Sequence, residues 1–173
     1  KNRVNVYEFT GDQADLLPEF GHAISEDVRL RLAEKLIAVV DARDAYIGEH
    51  ATAVAELTVA TGRILGICDR DLRHLHVAGL LHDLGKIGIP DHILRKPGPL
   101  NASEQALMRT HTRIGFDLLE GLDLAPVDTW ILHHHEHFDG SGYPFGLAGE
   151  DIPLGSRIIL VSDAFNAMTT QRS

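Results

Sequence analysis

The sequence predicts an all-α protein, a bundle of about six or seven helices with an N-terminal linker helix. The first observation is that apolar residues recur at steps of three and four, the period of an amphipathic helix, through most of the chain. The second is that the run Ile158 to Val161, which resembles a strand, has no convincing partner strand in the sequence. Proline and glycine separate the periodic segments, so we expect several separate helices.

The first predicted helix runs from Gln13 to about Asp41 and has a narrow apolar stripe between charged flanks. A stripe of this kind is typical of coiled coils. We therefore expect a signalling or dimerising helix and a homodimer, with a helix packed on its own domain as the alternative. Residues Lys1 to Gly11 suit the last strand of a preceding domain and a turn.

The second predicted helix covers Asp44 to Thr61 and ends at Gly62. The third begins with Asp69 as its cap and ends at the pair His82-Asp83, where Gly85 is expected to stop the helix. The segment from Ile87 to Gly98 is predicted to be irregular because it is rich in proline. The next predicted helix runs from Asn101 to about His111, with Glu104 as the capping-box partner of Asn101. The remaining predicted helices cover Arg113 to Glu120, Leu124 to Glu136 and Pro153 to Thr170.

Composition excludes several classes of protein. The 173 residues suit one globular domain, and a net charge of -9 without a basic run argues against a binder of duplex nucleic acid. The single cysteine, Cys68, provides neither a disulfide framework nor a cysteine-built zinc site, and it fits a reducing cytoplasm. We find no apolar run of membrane-spanning length and no signal peptide, so we expect no membrane segment in this chain.

Histidine is the unusual residue, with 11 copies in the chain. The candidate metal ligands are His50, His82, Asp83, His111, His134 or His135, and Asp163. Nitrogen and oxygen donors of this kind suit iron, manganese or zinc. Asp83 is the natural bridge between two ions, which would generate a hydroxide and hold a phosphodiester, and Lys86 would neutralise charge on the phosphoryl oxygens. The pattern predicts a metal-dependent phosphohydrolase.

Four motifs then appear in the order and approximate spacing of a known family. They are His82-Asp83-Leu84-Gly85-Lys86-Ile87-Gly88-Ile89-Pro90, Lys96-Pro97-Gly98, His111 followed by Gly115, and His134-His135-Glu136 with Gly140, Gly142, Tyr143 and Pro144. On these motifs the segment from about Asp41 to Thr170 resembles the HD-GYP family, the branch of the HD superfamily whose members hydrolyse cyclic dinucleotides. Residues Phe9 to Leu32 resemble the last helix of a GAF sensory domain. We therefore expect an upstream domain end and signalling helix at 1–41, and an HD-GYP domain at 42–173.

The resemblance implies a phosphodiesterase that opens cyclic di-GMP to linear pGpG, with GMP as a further product. It implies two divalent ions, iron or manganese, with Asp83 as the bridge. His50 and Asp163 would join His82 on one ion, and the other ion would have three histidines as ligands. These are His111, His134 and His135.

The resemblance also implies further site residues. Asp83 and Lys86 would be catalytic, and the substrate contacts would be Lys86, Glu136, Asp139, Gly142, Tyr143, Pro144 and Arg172. In the family the loop of Gly142, Tyr143 and Pro144, with Glu136 and Asp139, is also associated with diguanylate cyclase (GGDEF) partners. A packing residue with a hydrogen-bonded hydroxyl is the alternative for Tyr143.

Three positions depart from the family pattern. Tyr46 stands where some members have a glutamate for a third metal, so two ions are expected. Asn166 replaces an aspartate, and the basic segment after Arg172 is cut short at Ser173. Two alternatives remain open: hydrolysis of another cyclic dinucleotide, such as cyclic GMP-AMP, or of a nucleotide, and a catalytically silent module that binds partner domains.

Overall fold

The computed structural model describes residues 25–43 and 45–170, and the side chains of residues 37–48 lie outside this description. The described residues form eight α-helices and two short 3-10 turns. The helices are α1 (Glu26–Arg43), α2 (Ala45–Ile64), α3 (Asp69–Leu81), α4 (Asp91–Leu94), α5 (Ala102–Arg109), α6 (His111–Leu119), α7 (Val127–Leu132) and α8 (Leu154–Thr169). The 3-10 turns are Leu84–Gly88 and Gly149–Asp151. The predicted all-α fold is confirmed.

Helix α3 lies at the centre of the bundle, in contact with α1, α2, α7 and α8. Its residues Val77, Ala78 and Leu81 are buried in the main apolar core. Removing these side chains from water is the main favourable contribution to folding. The remaining buried members of this core are Leu30, Ala33, Leu84, Leu119, Leu124, Val127, Ile131 and Ile159. Since α3 ends directly at His82, this core fixes the position of that residue.

Several predicted helix boundaries are confirmed. Asn101 caps α5, its side chain accepting from the Glu104 backbone N–H, while the Glu104 carboxylate accepts from the Asn101 N–H. A break separates α5 from α6 at Thr110, directly before His111. The segment from Leu154 to Thr169 is a helix, as its alanine and methionine residues predicted.

Several local predictions were wrong. Helix α2 continues through Gly62 to Ile64, and the segment from Ile87 to Gly98, predicted to be irregular, contains α4. Cys68, not Asp69, is the N-cap of α3, and Asp69 is its first helical residue. Helix α7 ends at Leu132 rather than Glu136, because the backbone of His133 is no longer helical, with φ -103° and ψ 7°. Gly85 lies inside a 3-10 turn and is not a left-handed stop residue. The turn needs glycine there because a Cβ would overlap the backbone of His111 and lie 2.5 Å from the Gly115 nitrogen.

The described part of the N-terminal helix packs on the bundle. Leu30 and Ala33 of α1 are buried in the main core, and the Glu26 carboxylate lies 2.7 Å from Nε2 of the buried His74 on α3. The Glu26 carboxylate also accepts from Arg70 at 3.0 Å. The predicted strand, the GAF-like segment up to residue 24 and Arg172 lie outside the described residues. The domain boundary at residue 41 and a role for this helix in dimerisation stay predictions.

Among the described helices, none has the length and apolar character that crossing a membrane requires.

Candidate metal centre

The seven predicted ligands converge from five different parts of the bundle. His50 lies on α2, Asp163 on α8, and the pair His82 and Asp83 directly follows α3. His111 is the first residue of α6, and His134 and His135 follow α7. Ligands that project from facing helices into a bundle are a common way to build a two-metal site.

The ligand atoms form two groups of three, and within each group they lie within 4.8 Å of one another. The first group is His50, His82 and Asp83, and the second is His111, His134 and His135. Asp163 adjoins the first group, with Oδ1 at 3.0 Å from Nε2 of His50. The groups touch, since the rings of His82 and His134 have centroids 5.4 Å apart.

Asp83 lies between the two groups. Its Oδ2 is 3.4 Å from Nε2 of His82, and its Oδ1 is 3.6 Å from Nε2 of His111. The Lys86 ammonium donates to Oδ2 at 2.5 Å. Burial acts to raise the pKa of Asp83, but Lys86 and the neighbouring imidazoles hold it well below its usual value. Asp83 is therefore a carboxylate with one oxygen facing each group.

Three of the histidines are held in one tautomer by backbone carbonyls. Nδ1 of His82 bonds the Gly79 oxygen at 2.8 Å and Nδ1 of His111 bonds the Met108 oxygen at 2.8 Å. Nδ1 of His134 bonds the Ile131 oxygen at 2.6 Å. Because a carbonyl only accepts, each Nδ1 carries the proton and each Nε2 presents a lone pair.

The Nε2 atoms of these three histidines are buried without a hydrogen-bond partner among the described residues. A buried polar atom without a partner is costly and uncommon in a native structure. Three such nitrogens beside a buried carboxylate fit divalent metal ions as the missing partners. The residues present therefore suit divalent metal ions.

Burial keeps the second group neutral. Desolvation lowers the pKa of His111 and takes that of His134 well below its usual value. Desolvation, with the neighbouring His111, lowers the pKa of His135 to about 3. Neutral imidazole is the form that binds a metal, so this group needs little deprotonation at neutral pH.

Asn166 belongs to the site, although its sequence position showed only a departure from the family pattern. Its Oδ1 lies 2.7 Å from Nδ1 of His50. Since Asn166 is three residues after Asp163 on α8, both side chains face His50 from the same helix. His50 is therefore held at both ring nitrogens.

The loop after α7 covers one edge of the second group. The Tyr143 ring stacks on the His135 ring with centroids 4.8 Å apart, and the Tyr143 N–H donates to the His135 oxygen at 3.0 Å. A Cβ on Gly142 would lie 2.5 Å from the Glu136 Cα, so the loop needs glycine there. Pro144 follows Tyr143 through a cis peptide bond and is exposed.

Glu136 and Asp139 shape this loop from within. Glu136 is only 1% exposed, and its two carboxylate oxygens accept from the Phe145 N–H at 2.7 Å and the Leu147 N–H at 3.0 Å. Its position behind the loop does not favour the predicted contact with substrate. Asp139 is exposed and accepts from the Ser141 N–H at 2.9 Å, as in an Asx turn.

Sequence reasoning did not identify Arg109, which contacts the ring of Tyr143 beside the candidate site. Its guanidinium carbon is 4.9 Å from the centroid of the Tyr143 ring. The two residues come from α5 and the loop after α7, so no local pattern connects them. The only feature of the sequence that could have indicated Arg109 is its position, two residues before the candidate ligand His111.

The comparisons with known proteins agree with this geometry. The profile of the HD domain family matches residues 34–173. A cyclic di-GMP phosphodiesterase of Pseudomonas aeruginosa is 40% identical over 169 residues, covering 94% of this chain and 39% of that protein. A 3'3'-cGAMP-specific phosphodiesterase of Vibrio cholerae is 37% identical over 166 residues, covering 95% of this chain and 38% of that protein. The chain thus spans about two fifths of the length of these curated relatives.

A solved structure shares the fold. An HDG"Y"P protein from Bdellovibrio bacteriovorus superposes with a TM-score of 0.61 at 22% identity, over 83% of this chain and 51% of that chain. The family profile covers most of the sequence, and the His82-Asp83 pair and the Gly142-Tyr143-Pro144 turn occupy one site within it. The chain therefore belongs to the HD domain family, and it is of the HD-GYP type.

Proposed function

We propose that this chain is a divalent-metal-dependent phosphodiesterase that opens cyclic di-GMP to linear pGpG, with GMP as a further product. The observation that carries the proposal is the pair of ligand groups that share Asp83, with unpartnered Nε2 atoms in both. Two ions held side by side supply an activated water and a clamp for a phosphodiester.

The proposed ligands divide as the two groups do. His50, His82 and Asp163 would hold one ion, and Asp83 would bridge to the other. The second ion would be held by His111, His134 and His135. Nitrogen and oxygen donors without a thiolate suit iron, manganese or zinc, and we propose iron or manganese.

Lys86 is the proposed catalytic cation. Its ammonium already contacts the Asp83 carboxylate at 2.5 Å and is about a quarter exposed, with a relative side-chain accessibility of 27%. A charge fixed there can stabilise negative charge that develops on a phosphoryl oxygen. We propose that Gly142, Tyr143 and Pro144 border the substrate, and that Arg172 contacts phosphate.

The identity of the bases rests on the relatives. The P. aeruginosa relative is named for cyclic di-GMP and the V. cholerae relative for 3'3'-cGAMP, at 40% and 37% identity respectively. We propose cyclic di-GMP as the substrate, with cyclic GMP-AMP as the competing candidate. Rates on the two compounds measured side by side separate them.

The partners are proposed on narrower grounds. The exposed Phe138 and Phe145 flank the loop that contains Tyr143 and give a GGDEF domain an apolar surface. A homodimer through the N-terminal helix and a cytoplasmic location complete the proposal.

The second candidate function, a silent binding module, is favoured by Asn166, an amide beside His50 where many members have a charged aspartate.

The test joins metal content to turnover. Protein purified without oxygen is assayed for bound metals and for hydrolysis of cyclic di-GMP. We expect about two equivalents of metal and turnover, and a loss in kcat of about 10²- to 10³-fold for Lys86→Ala with the metals retained. Lys96→Ala is the matched control, because Lys96 pairs with Glu104 at 2.6 Å, away from the ligand groups.

Two outcomes contradict the enzyme. Two bound metals without turnover on either cyclic dinucleotide support the binding module, and protein that binds no metal removes the basis of the proposal.

A further inference from the structure

A cleft of about 470 Å³ opens beside the metal centre, between α5, α6 and the loop of Tyr143. Its walls combine small apolar groups with polar ones, and they include Ala102, Ala106, Arg109, Thr112, Tyr143 and Pro144. A cleft of this size is within the usual range for small-molecule sites. The ligand groups themselves do not line it, so it is a neighbouring compartment.

Tyr143 connects this cleft to the metal centre. Its ring contacts both the His135 ring, at 4.8 Å, and the Arg109 guanidinium, at 4.9 Å. A ligand with one end at the ions can therefore reach the cleft by passing a single side chain.

Arg109 is the available cation of the cleft. Within residues 25–43 and 45–170, no carboxylate pairs with its guanidinium, which is held only against the Tyr143 face. The second arginine of the cleft, Arg113, is already engaged, since its Nε donates to Asp117 at 2.8 Å. The other nearby cation, Lys86, is bound to Asp83.

A cyclic dinucleotide carries two phosphodiesters, and only one can lie at the ions. The second is a fixed negative charge that approaches a protein of net charge -9. A guanidinium is well suited to bind it, because its planar donors match phosphate oxygens.

We propose that Arg109 binds the second, non-scissile phosphate of the substrate, and that the cleft holds the adjoining nucleoside. The inference rests on the proposed function. The walls at Ala102, Ala106 and Pro144 take the sugar and base, and the Arg109 charge sets affinity for any cyclic dinucleotide without reading its bases.

The test compares two variants on two substrates. Cyclic di-GMP has the second phosphate, and bis(p-nitrophenyl) phosphate has only the one that is cleaved. For Arg109→Ala we expect KM for cyclic di-GMP to rise about 10- to 100-fold, with kcat and metal content nearly unchanged. Cleavage of bis(p-nitrophenyl) phosphate stays at the wild-type rate. Arg73→Ala, the matched control at an exposed arginine of α3 that does not line the cleft, leaves both activities unchanged.

Three results overturn the inference while the enzyme remains. One is an unchanged KM in Arg109→Ala. Another is an equal loss on both substrates, which assigns Arg109 to support of Tyr143. The last is a loss on cyclic di-GMP that is absent on cyclic GMP-AMP, which assigns Arg109 to base recognition.

If the protein shows no turnover, equilibrium dialysis with labelled cyclic di-GMP measures binding of the compound instead. Binding that is weakened in Arg109→Ala then supports the inference and rejects the proposed reaction. Wild-type protein that neither cleaves nor binds the compound rejects both.

Discussion

Three of the candidate ligand histidines, His82, His111 and His134, owe their positions to the ends of helices. Gly79, Met108 and Ile131 lie in the last turns of α3, α5 and α7, where carbonyls can accept a hydrogen bond from outside the helix. In each case the histidine three residues later donates its Nδ1–H to that carbonyl. One hydrogen bond thus satisfies a carbonyl at the helix end and directs Nε2 of the histidine toward the candidate metal site.

His50 has a different support, because it lies inside α2, where carbonyls are already bonded. Its Nδ1 is held by Asn166 instead. We expect Asn166→Ala to weaken metal binding about 10- to 100-fold, since the imidazole loses the group that fixes its orientation. Competition with a chromophoric chelator measures this affinity.

Asn166→Asp is a replacement that should preserve the contact with His50, because a carboxylate accepts the same hydrogen bond. We expect it to retain the wild-type affinity or to exceed it. Thr169→Ala is the control on α8, since the Thr169 hydroxyl bonds only carbonyls of its own helix. Equal affinities in all three variants would show that Asn166 does not position His50.

At the scale of elements, a contact between backbones joins the two ligand groups. The 3-10 turn Leu84–Gly88 follows His82 and Asp83, and it packs on α6, which begins with His111. At Gly85 the two backbones approach so closely that a Cβ would overlap the His111 carbonyl. The distance from Asp83 to His111 therefore depends on a residue without a side chain.

Gly85→Ala is expected to lower the free energy of unfolding by about 3 kcal/mol, because α6 must shift to admit the methyl group. The same shift moves His111 from Asp83, so we also expect a loss of bound metal. Urea denaturation and elemental analysis measure the two effects.

Gly88→Ala is the matched control in the same 3-10 turn. Its Cβ would meet the end of the Ile114 side chain, at 3.0 Å from Cδ1, which can move aside. We expect a change within about 1 kcal/mol. If both variants were equally stable, the close approach at Gly85 would not govern this packing.

At the scale of the whole molecule, α1 is part of the bundle. Leu30 is 5% exposed and Leu32 is 46% exposed. We expect Leu30→Ala to cost about 2–5 kcal/mol in the free energy of unfolding, since it opens a cavity in the main core. Leu32→Ala should cost under about 1 kcal/mol. Equal costs in urea denaturation would mean that α1 is not seated as described.

The sequence was sufficient for features with local causes. The capping box of Asn101 and the helix ends near His82 and His111 could be predicted from spacing within a few residues. The end of α7 was predicted too late, because polar residues after Leu132 do not interrupt the helical period. The role of Gly85 and the place of Arg109 depend on contacts between distant segments, which no local pattern contains.

The contact between Glu26 and His74 links the start of the described residues to the candidate metal site. Helix α3 receives that contact in its first half and presents His82 just beyond its last turn, while His50 belongs to the neighbouring α2. A rigid helix transmits tilt along its length, so movement of α1 alters the gap between these two imidazoles. Imidazole spacing governs which ionic radius is held best. A change in the tilt of α1 would thus alter the fit of the candidate site for a metal ion without any contact to Asp83 or Lys86.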